Sequence, residues 1–124
     1  MLIDHIDLRV KDLAKARAFY DALMSAMGFS RFDARDDDIN YHHPEKEWSH
    51  PFFGLMADPD HRPNGSRIAF RASSREEVDR LAEVARSAGA RELEGPEAYY
   101  GSPRYYAAFF EDVDGNKLEI CYRE

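Results

Sequence analysis

The chain has 124 residues with a formal net charge of −7; 44% of its residues are hydrophobic and 33% are charged. This length predicts one domain and this balance is ordinary for a globular protein, while the acidic excess argues against nucleic acid as the main partner. No apolar run reaches the ~18 residues that a membrane span needs, and MLIDHIDLRV lacks the features of a signal peptide. The single cysteine excludes an internal disulfide and fits a cytoplasmic location.

The first predicted elements are a strand and a helix. Apolar and polar residues alternate in HIDLRV, as they do in a half-buried strand. Asp12 predicts a helix N-cap, Gly28 predicts the end of that helix, and the apolar stripe between them is Ala16, Phe19, Tyr20, Leu23 and Met27. INYHH and PFFGLMA predict strands, and the polar segment from Arg31 to His50 predicts only a short one.

The same order of elements follows in the second half. RIAFRA alternates like the first strand, and Ser74 and Glu77 have the spacing of a capping box. The next apolar stripe, which Gly89 ends, is Val78, Leu81, Ala82, Ala85 and Ala88. ARELEG, YYAAFFEDV and NKLEICYR predict strands, and the Asp114-Gly115 pair predicts a hairpin between the last two.

A shift of 62 positions superimposes the two halves and places His5 on Arg67 and Phe19 on Leu81. A repeated strand and helix indicate two copies of one supersecondary unit. The sequence therefore predicts two βαβββ halves joined near DPDHRPNG, a segment rich in turn-forming residues.

Three segments carry a resemblance to a known family: HIDLRVKDLAKARAFYDALMSAMGF, RIAFRASSREEVDRLAEVARSAGA and, most specifically, YYAAFFEDVDGNKLEI. They resemble the vicinal oxygen chelate superfamily, which includes glyoxalase I, extradiol dioxygenases, fosfomycin-resistance transferases and bleomycin-resistance proteins. The resemblance implies an α+β fold over residues 1–124, in which halves of about 1–60 and 65–124 form a curved mixed-sheet half-barrel pair with helices on the outer face. It also implies a ligand cleft between the halves.

In metal-dependent members, the ligands come from the first and last strands of each half. The matching positions here hold His5, Gly54, Arg67 and Glu119. Arginine has no lone pair to offer a cation, and a divalent site of this kind needs three or four donors. His5 and Glu119 are therefore weak metal candidates; the expectation is no cofactor, with a divalent metal as the less favoured alternative.

The resemblance implies a small-molecule-binding protein without a complete metal site, and a homodimer with no membrane or nucleic-acid partner. The alternatives are a metal-dependent lyase or dioxygenase, a drug-sequestering resistance protein, and a metal-free enzyme with Glu119 or His5 as catalytic base. Whether the chain is an enzyme stays open. The predicted ligand-binding residues are Arg67, Arg71, Arg104, Tyr106 and Trp48.

Two further features have simpler interpretations. The spacing of His42, His43, His50 and His61 matches no metal-binding motif, so a solvated loop is expected there. Cys121 shares the strand parity of Glu119, but no histidine lies beside it in sequence, so an inert buried thiol is expected.

The charge within the last strand suggests a specific contact. Leu118 and Ile120 should pack under a helix, and alternation then turns Glu119 to the concave face. Arg67 should share that face. Because a buried carboxylate needs a partner, the sequence predicts an ion pair between Arg67 and Glu119 within ~4 Å.

Overall fold

The computed structural model describes residues 2–45, 50–99 and 101–124. The chain divides into two compact units, Met1–Arg62 and Pro63–Glu124. This boundary lies within the DPDHRPNG segment. Among the described residues, no helix is long and apolar enough to cross a membrane.

The first unit contains one helix and one four-stranded sheet. Strands β1 and β4 are parallel neighbours, and β3 and β2 follow in antiparallel order, giving β1-β4-β3-β2. The elements are β1 (His5–Val10), α1 (Leu13–Ala26), β2 (Arg31–Ala34), β3 (Asp38–His42) and β4 (Phe52–Ala57).

The second unit repeats this topology with the strand order β5-β8-β7-β6, in which β5 and β8 are parallel. Both sheets are open, and the predicted α+β fold of two βαβββ halves is confirmed. The elements are β5 (Arg67–Arg71), α2 (Arg75–Ser87), β6 (Arg91–Ala98), β7 (Tyr105–Glu111) and β8 (Lys117–Arg123).

The helices begin where their capping residues predict. The Asp12 carboxylate accepts a hydrogen bond from the backbone N–H of Lys15 at 3.2 Å, and the Ser74 hydroxyl accepts one from the N–H of Glu77 at 3.0 Å. Such caps satisfy backbone donors that have no partner inside the helix. The buried residues of α1 are Ala16, Phe19, Tyr20, Leu23 and Met24, and those of α2 are Val78, Leu81, Ala82 and Ala85.

Strand β2 is the element that the sequence pattern does not reveal. All four of its residues are exposed, and within the described part of the chain it pairs only with β3. A strand that buries neither face has no reason to alternate apolar and polar residues, so the periodicity that marks the other strands is missing.

The β7–β8 connection is the predicted Asp-Gly hairpin, and a buried carboxylate holds it. Asp112 accepts hydrogen bonds from the backbone N–H groups of Asp114 and Asn116, both at 2.9 Å, and from the Asn116 side-chain amide at 2.8 Å. Gly115 adopts φ +92° there, a conformation that glycine reaches without steric cost. This turn sets the register that pairs Phe109 with Glu119.

Candidate functional site

Residues on the last strand of the second unit alternate between two environments. Leu118 and Ile120 are fully buried on the side covered by α2, which contacts β6, β7 and β8. Lys117, Glu119 and Cys121 point the other way, as strand geometry requires. We call this second side the polar face; it is formed by Arg67, Ala69 and Arg71 of β5, Tyr105, Ala107, Phe109 and Glu111 of β7, and Lys117, Glu119, Cys121 and Arg123 of β8.

Glu119 is 5% exposed on the polar face, and its partner is Tyr105. The Tyr105 hydroxyl donates a hydrogen bond to Oε2 of Glu119. Tyr105 pairs with Arg123 rather than with Glu119, and four residues of strand separate those positions by about 13 Å. The phenol therefore lies along the sheet across Ala107, whose small side chain leaves room for the ring.

The predicted ion pair between Arg67 and Glu119 is wrong. Both residues lie on the polar face, but the parallel register places Ala69 opposite Glu119 and Lys117 opposite Arg67. The Arg67 guanidinium lies 4.8 Å from the centre of the Phe109 ring and donates from Nη1 to the Leu118 carbonyl at 3.1 Å. Within the described residues, no carboxylate lies within ion-pair distance of Arg67.

Burial raises the pKa of Tyr105 above its ordinary value, and the hydrogen bonds with Glu119 and with the Cys121 thiol raise it further. Tyr105 is therefore a protonated donor at neutral pH. Cys121 is 8% exposed and packs with Tyr105 and Ala107, which matches the expected buried thiol.

In the first unit, the position equivalent to Glu119 is Gly54. Gly54 pairs with Asp7, just as Glu119 pairs with Ala69, and Asp7 corresponds to Ala69 under the 62-residue shift. The predicted alignment of Gly54 is thus confirmed. A Cβ at Gly54 would stand 2.6 Å from Asp7 Oδ1 and 2.8 Å from Asn40 Oδ1. The side chains of Asp7 and Asn40 therefore occupy the space that a larger residue would need.

His5 is held on the same strand as Asp7. Its ring stacks on Phe52 with centroids 4.5 Å apart. Nδ1 lies 2.6 Å from Asp4 Oδ1, and Nε2 lies 3.6 Å from Asp7 Oδ2. Both nitrogens therefore lie near carboxylates of the first unit.

The described donors do not fit a divalent metal ion. Arg67 supplies only N–H donors where a lone pair is required, and the Glu119 carboxylate already accepts a hydrogen bond from Tyr105. Across residues 2–45, 50–99 and 101–124, no group of three or more His, Cys, Asp and Glu side chains is arranged to hold a metal.

A cavity of about 550 Å³ opens beside Arg67, within the ~300–1,000 Å³ range of small-molecule sites. We call it the Arg67 cavity. Its walls carry both positive and negative side chains together with aromatic residues, and they include Arg67, Lys117, Glu92, Glu94, Tyr99 and Phe109. The Tyr99 and Phe109 rings meet edge to face at 4.8 Å.

The other predicted ligand-binding residues lie in different places. Arg71 is exposed on the polar face opposite Cys121, and Arg104 lines a second cavity of about 320 Å³. Tyr106 lies on the helix side, where its hydroxyl donates to Asp79 at 2.6 Å. This placement gives no support to a ligand contact by Tyr106. Trp48 lies outside the described residues.

The histidine-rich segment differs from the expected solvated loop at three residues. His43 and His50 are half-buried, and their rings lie 6.2 Å apart beside Phe29. His42 is 5% exposed; its ring lies 5.1 Å from that of Phe52, and its Nε2 lies 3.8 Å from Asp33. The reason is that His42 is the last residue of β3 and is therefore held against the sheet.

Tyr105 is the site residue that the sequence prediction missed, although a signal for it was present. With the Asp-Gly turn as the centre of the hairpin, Tyr105, Ala107 and Phe109 have the same parity as Glu119. Strand alternation therefore presents Tyr105 to the polar face and its neighbour Tyr106 to the helix.

The amino-acid pattern of the Glyoxalase/Bleomycin resistance protein/Dioxygenase superfamily matches residues 2–120 of this chain. The chain belongs to this superfamily. Among its relatives is the uncharacterized protein YqjT of Bacillus subtilis, which is 27% identical over 124 residues covering 94% of each chain.

Solved structures of the superfamily have the same fold. A glyoxalase/bleomycin resistance protein from Albidiferax ferrireducens is 27% identical and superimposes with a TM-score of 0.81 over 100% of both chains. The fosfomycin resistance protein FosX from Listeria monocytogenes is 21% identical, with a TM-score of 0.74 over 100% of this chain and 94% of that one. The latter likeness concerns the fold alone.

Proposed function

We propose that this superfamily member binds a small organic molecule in the Arg67 cavity and holds no resident metal ion. The observation that carries the proposal is the position of Arg67. The superfamily resemblance implies a metal donor there, and the guanidinium instead lies over Phe109 as part of the cavity wall.

The charges around the cavity indicate the chemistry of the ligand. Arg67 retains N–H groups beyond the one given to Leu118, so an anionic group fits beside it. Lys117 is partly neutralised by Glu111 at 3.9 Å. On the β6 side, Glu92 and Glu94 have no ion-pair partner among the described residues and can accept hydrogen bonds from donors of the ligand.

The aromatic walls add a second requirement. Phe109 is half-buried. The Arg67 guanidinium lies over its ring, and the Tyr99 ring lies perpendicular to it. Aromatic walls of this kind favour a flat or apolar ligand body. We therefore expect a small molecule with an apolar body, an acidic group at the Arg67 end and hydrogen-bond donors at the Glu94 end.

The experiment compares metal ions with organic ligands on one sample. The protein is purified without chelators and examined by native mass spectrometry, and its melting temperature is measured with Zn²⁺, Ni²⁺, Mn²⁺ and Fe²⁺. We expect no saturable metal shift and an organic adduct that Arg67→Ala and Phe109→Ala each remove. A ligand of the folded state at 100 times its Kd should add about 2.7 kcal/mol.

Arg31→Ala is the matched control, because Arg31 is an exposed arginine on β2 and is not among the residues that line the cavity. It should leave the adduct unchanged. Stoichiometric metal that disappears in His5→Ala or Glu119→Ala would contradict the proposal and favour the metal-dependent lyase or dioxygenase alternative. A cationic drug as the bound adduct would favour the sequestering alternative.

A further inference from the structure

The second cavity of the second unit lies away from the Arg67 cavity and is lined by two arginines. Its volume is about 320 Å³, and its walls are formed by Ser102, Arg104, Tyr105, Arg123 and Glu124. We call it the Arg104 cavity. Its volume is near the lower end of the ~300–1,000 Å³ range of small-molecule sites, so it suits a compact group.

Backbone contacts fix the two arginines relative to each other. The N–H of Glu124, which follows Arg123, donates to the Arg104 carbonyl at 3.1 Å. The Arg104 N–H in turn donates to the Ser102 hydroxyl at 3.2 Å. The loop before β7 is thus joined to the end of β8, and residues of both segments line one cavity.

The positive charge in this cavity has little compensation. The Arg123 guanidinium lies 4.5 Å from the centre of the Tyr105 ring, which holds it in place without neutralising it. Neither arginine forms an ion pair with any residue that the structure describes. The one acidic side chain in the wall, Glu124, lies 3.9 Å from Arg75 on α2.

We propose that the Arg104 cavity binds the phosphate group of a small molecule. Two guanidinium groups from separate elements offer several N–H donors, and the oxygens of phosphate can accept from both forks at once. The Ser102 hydroxyl supplies one further donor, since its oxygen already accepts from Arg104. Tyr105 adds an aromatic ring to the cavity wall beside Arg123.

Isothermal titration calorimetry with inorganic phosphate tests the proposal on the full chain at constant ionic strength. We expect one saturable site, with affinity lowered roughly tenfold or more in Arg104→Ala and in Arg123→Ala, because each removes a charge-assisted hydrogen bond. The phosphate affinity of Arg104→Lys should lie between those of the unchanged protein and Arg104→Ala, since lysine keeps the charge but lacks the planar guanidinium. Arg31→Ala should bind like the unchanged protein, and circular dichroism verifies the fold of each variant.

Three results would overturn the proposal: no saturable heat, undiminished binding by both alanine variants, or equally tight binding of acetate, which would remove the assignment to phosphate. Arg67→Ala separates this site from the proposed ligand site. It should leave phosphate binding unchanged, and loss of binding in that variant would place the anion in the Arg67 cavity instead.

Discussion

Tyr105 and Glu119 form the contact on which the polar face depends. A carboxylate with so little exposure needs a hydrogen-bond donor, and the donor here is the phenol of Tyr105 rather than the guanidinium of Arg67. Arg67 does not pair with Glu119 and instead lines the cavity.

Tyr105→Phe should lower the free energy of unfolding by about 1–3 kcal/mol, since it leaves a buried acceptor without its donor. Urea denaturation measures the loss. In Glu119→Gln the further cost of Tyr105→Phe should be smaller, because the amide is uncharged, and Tyr106→Phe is the matched control on the other face. If Tyr105→Phe lowers the free energy of unfolding equally in the unchanged protein and in Glu119→Gln, the phenol does not stabilise Glu119.

Arg67→Ala should lower the free energy of unfolding by about 1–2 kcal/mol, since it removes an exposed cation–π contact and one hydrogen bond to the Leu118 carbonyl. Loss of one partner of a buried ion pair would cost about 3–5 kcal/mol, so the two cases are well separated. Arg67→Lys, which keeps the charge, is the control. A loss of about 3–5 kcal/mol in Arg67→Ala would instead support an ion pair between Arg67 and Glu119.

At the scale of elements, β6 approaches β7 closely at Gly95. Gly95 has φ +84°, and a Cβ there would stand 2.7 Å from the Ala107 carbonyl oxygen and 2.9 Å from the Tyr99 hydroxyl. The glycine therefore allows the close approach of β6 to β7 and to Tyr99, which lines the Arg67 cavity.

Gly95→Ala should destabilise the protein by about 1–3 kcal/mol, the cost of a strained backbone conformation, and should weaken ligand retention because Tyr99 must move. Thermal melts and native mass spectrometry record the two effects. Gly65→Ala is the control, since a Cβ at Gly65 meets nothing within 4 Å. If the two variants have the same melting temperature, the close approach at Gly95 does not affect stability.

The elements also show how far the sequence can be interpreted. Periodicity and caps predict both helices and the faces of β5 and β8, since burial imposes them. Alternation has a period of two, however, and so cannot distinguish Arg67 from Ala69 as the residue opposite Glu119. That choice depends on how the crossover through α2 returns the chain to the sheet, which no local pattern records. For the same reason Tyr105, which reaches Glu119 along the strand, was not predicted as its partner.

At the scale of the whole molecule, two buried tyrosines predict an alkaline limit to stability. Burial raises the pKa of Tyr41, and its hydrogen bond to Asp21 raises it further; burial and then Glu119 act likewise on Tyr105. In the unfolded chain both ionise near pH 10. Because the pKa values of the two tyrosines are higher in the folded protein, their contribution to folding stability is complete below that pH. It decreases as the pH rises above it.

The melting temperature should therefore be nearly constant from about pH 7 to 9, as far as these tyrosines are concerned, and decrease beyond about pH 10. Differential scanning calorimetry across this range measures the decrease. Tyr41→Phe and Tyr105→Phe should each make the decrease less steep, whereas a slope unchanged in both variants would assign it to other groups.

The homodimer implied by the superfamily resemblance stays a prediction. Exposed apolar side chains are available for it, including Phe32 on the edge strand β2, which is 43% exposed. Light scattering at micromolar concentration should give about twice the 14.3 kDa mass of one chain. A mass of one chain under these conditions would show a monomer.

Arg75, the first residue of α2, contacts three separate parts of the second unit. It donates to the Pro103 carbonyl, lies 4.9 Å from the centre of the Tyr106 ring and approaches Glu124. The loop that carries Arg104 is thereby joined to the helix and to the last strand. Local opening of this loop must break the same contacts that hold the helix start, so the two segments should open together and show similar protection from amide hydrogen exchange.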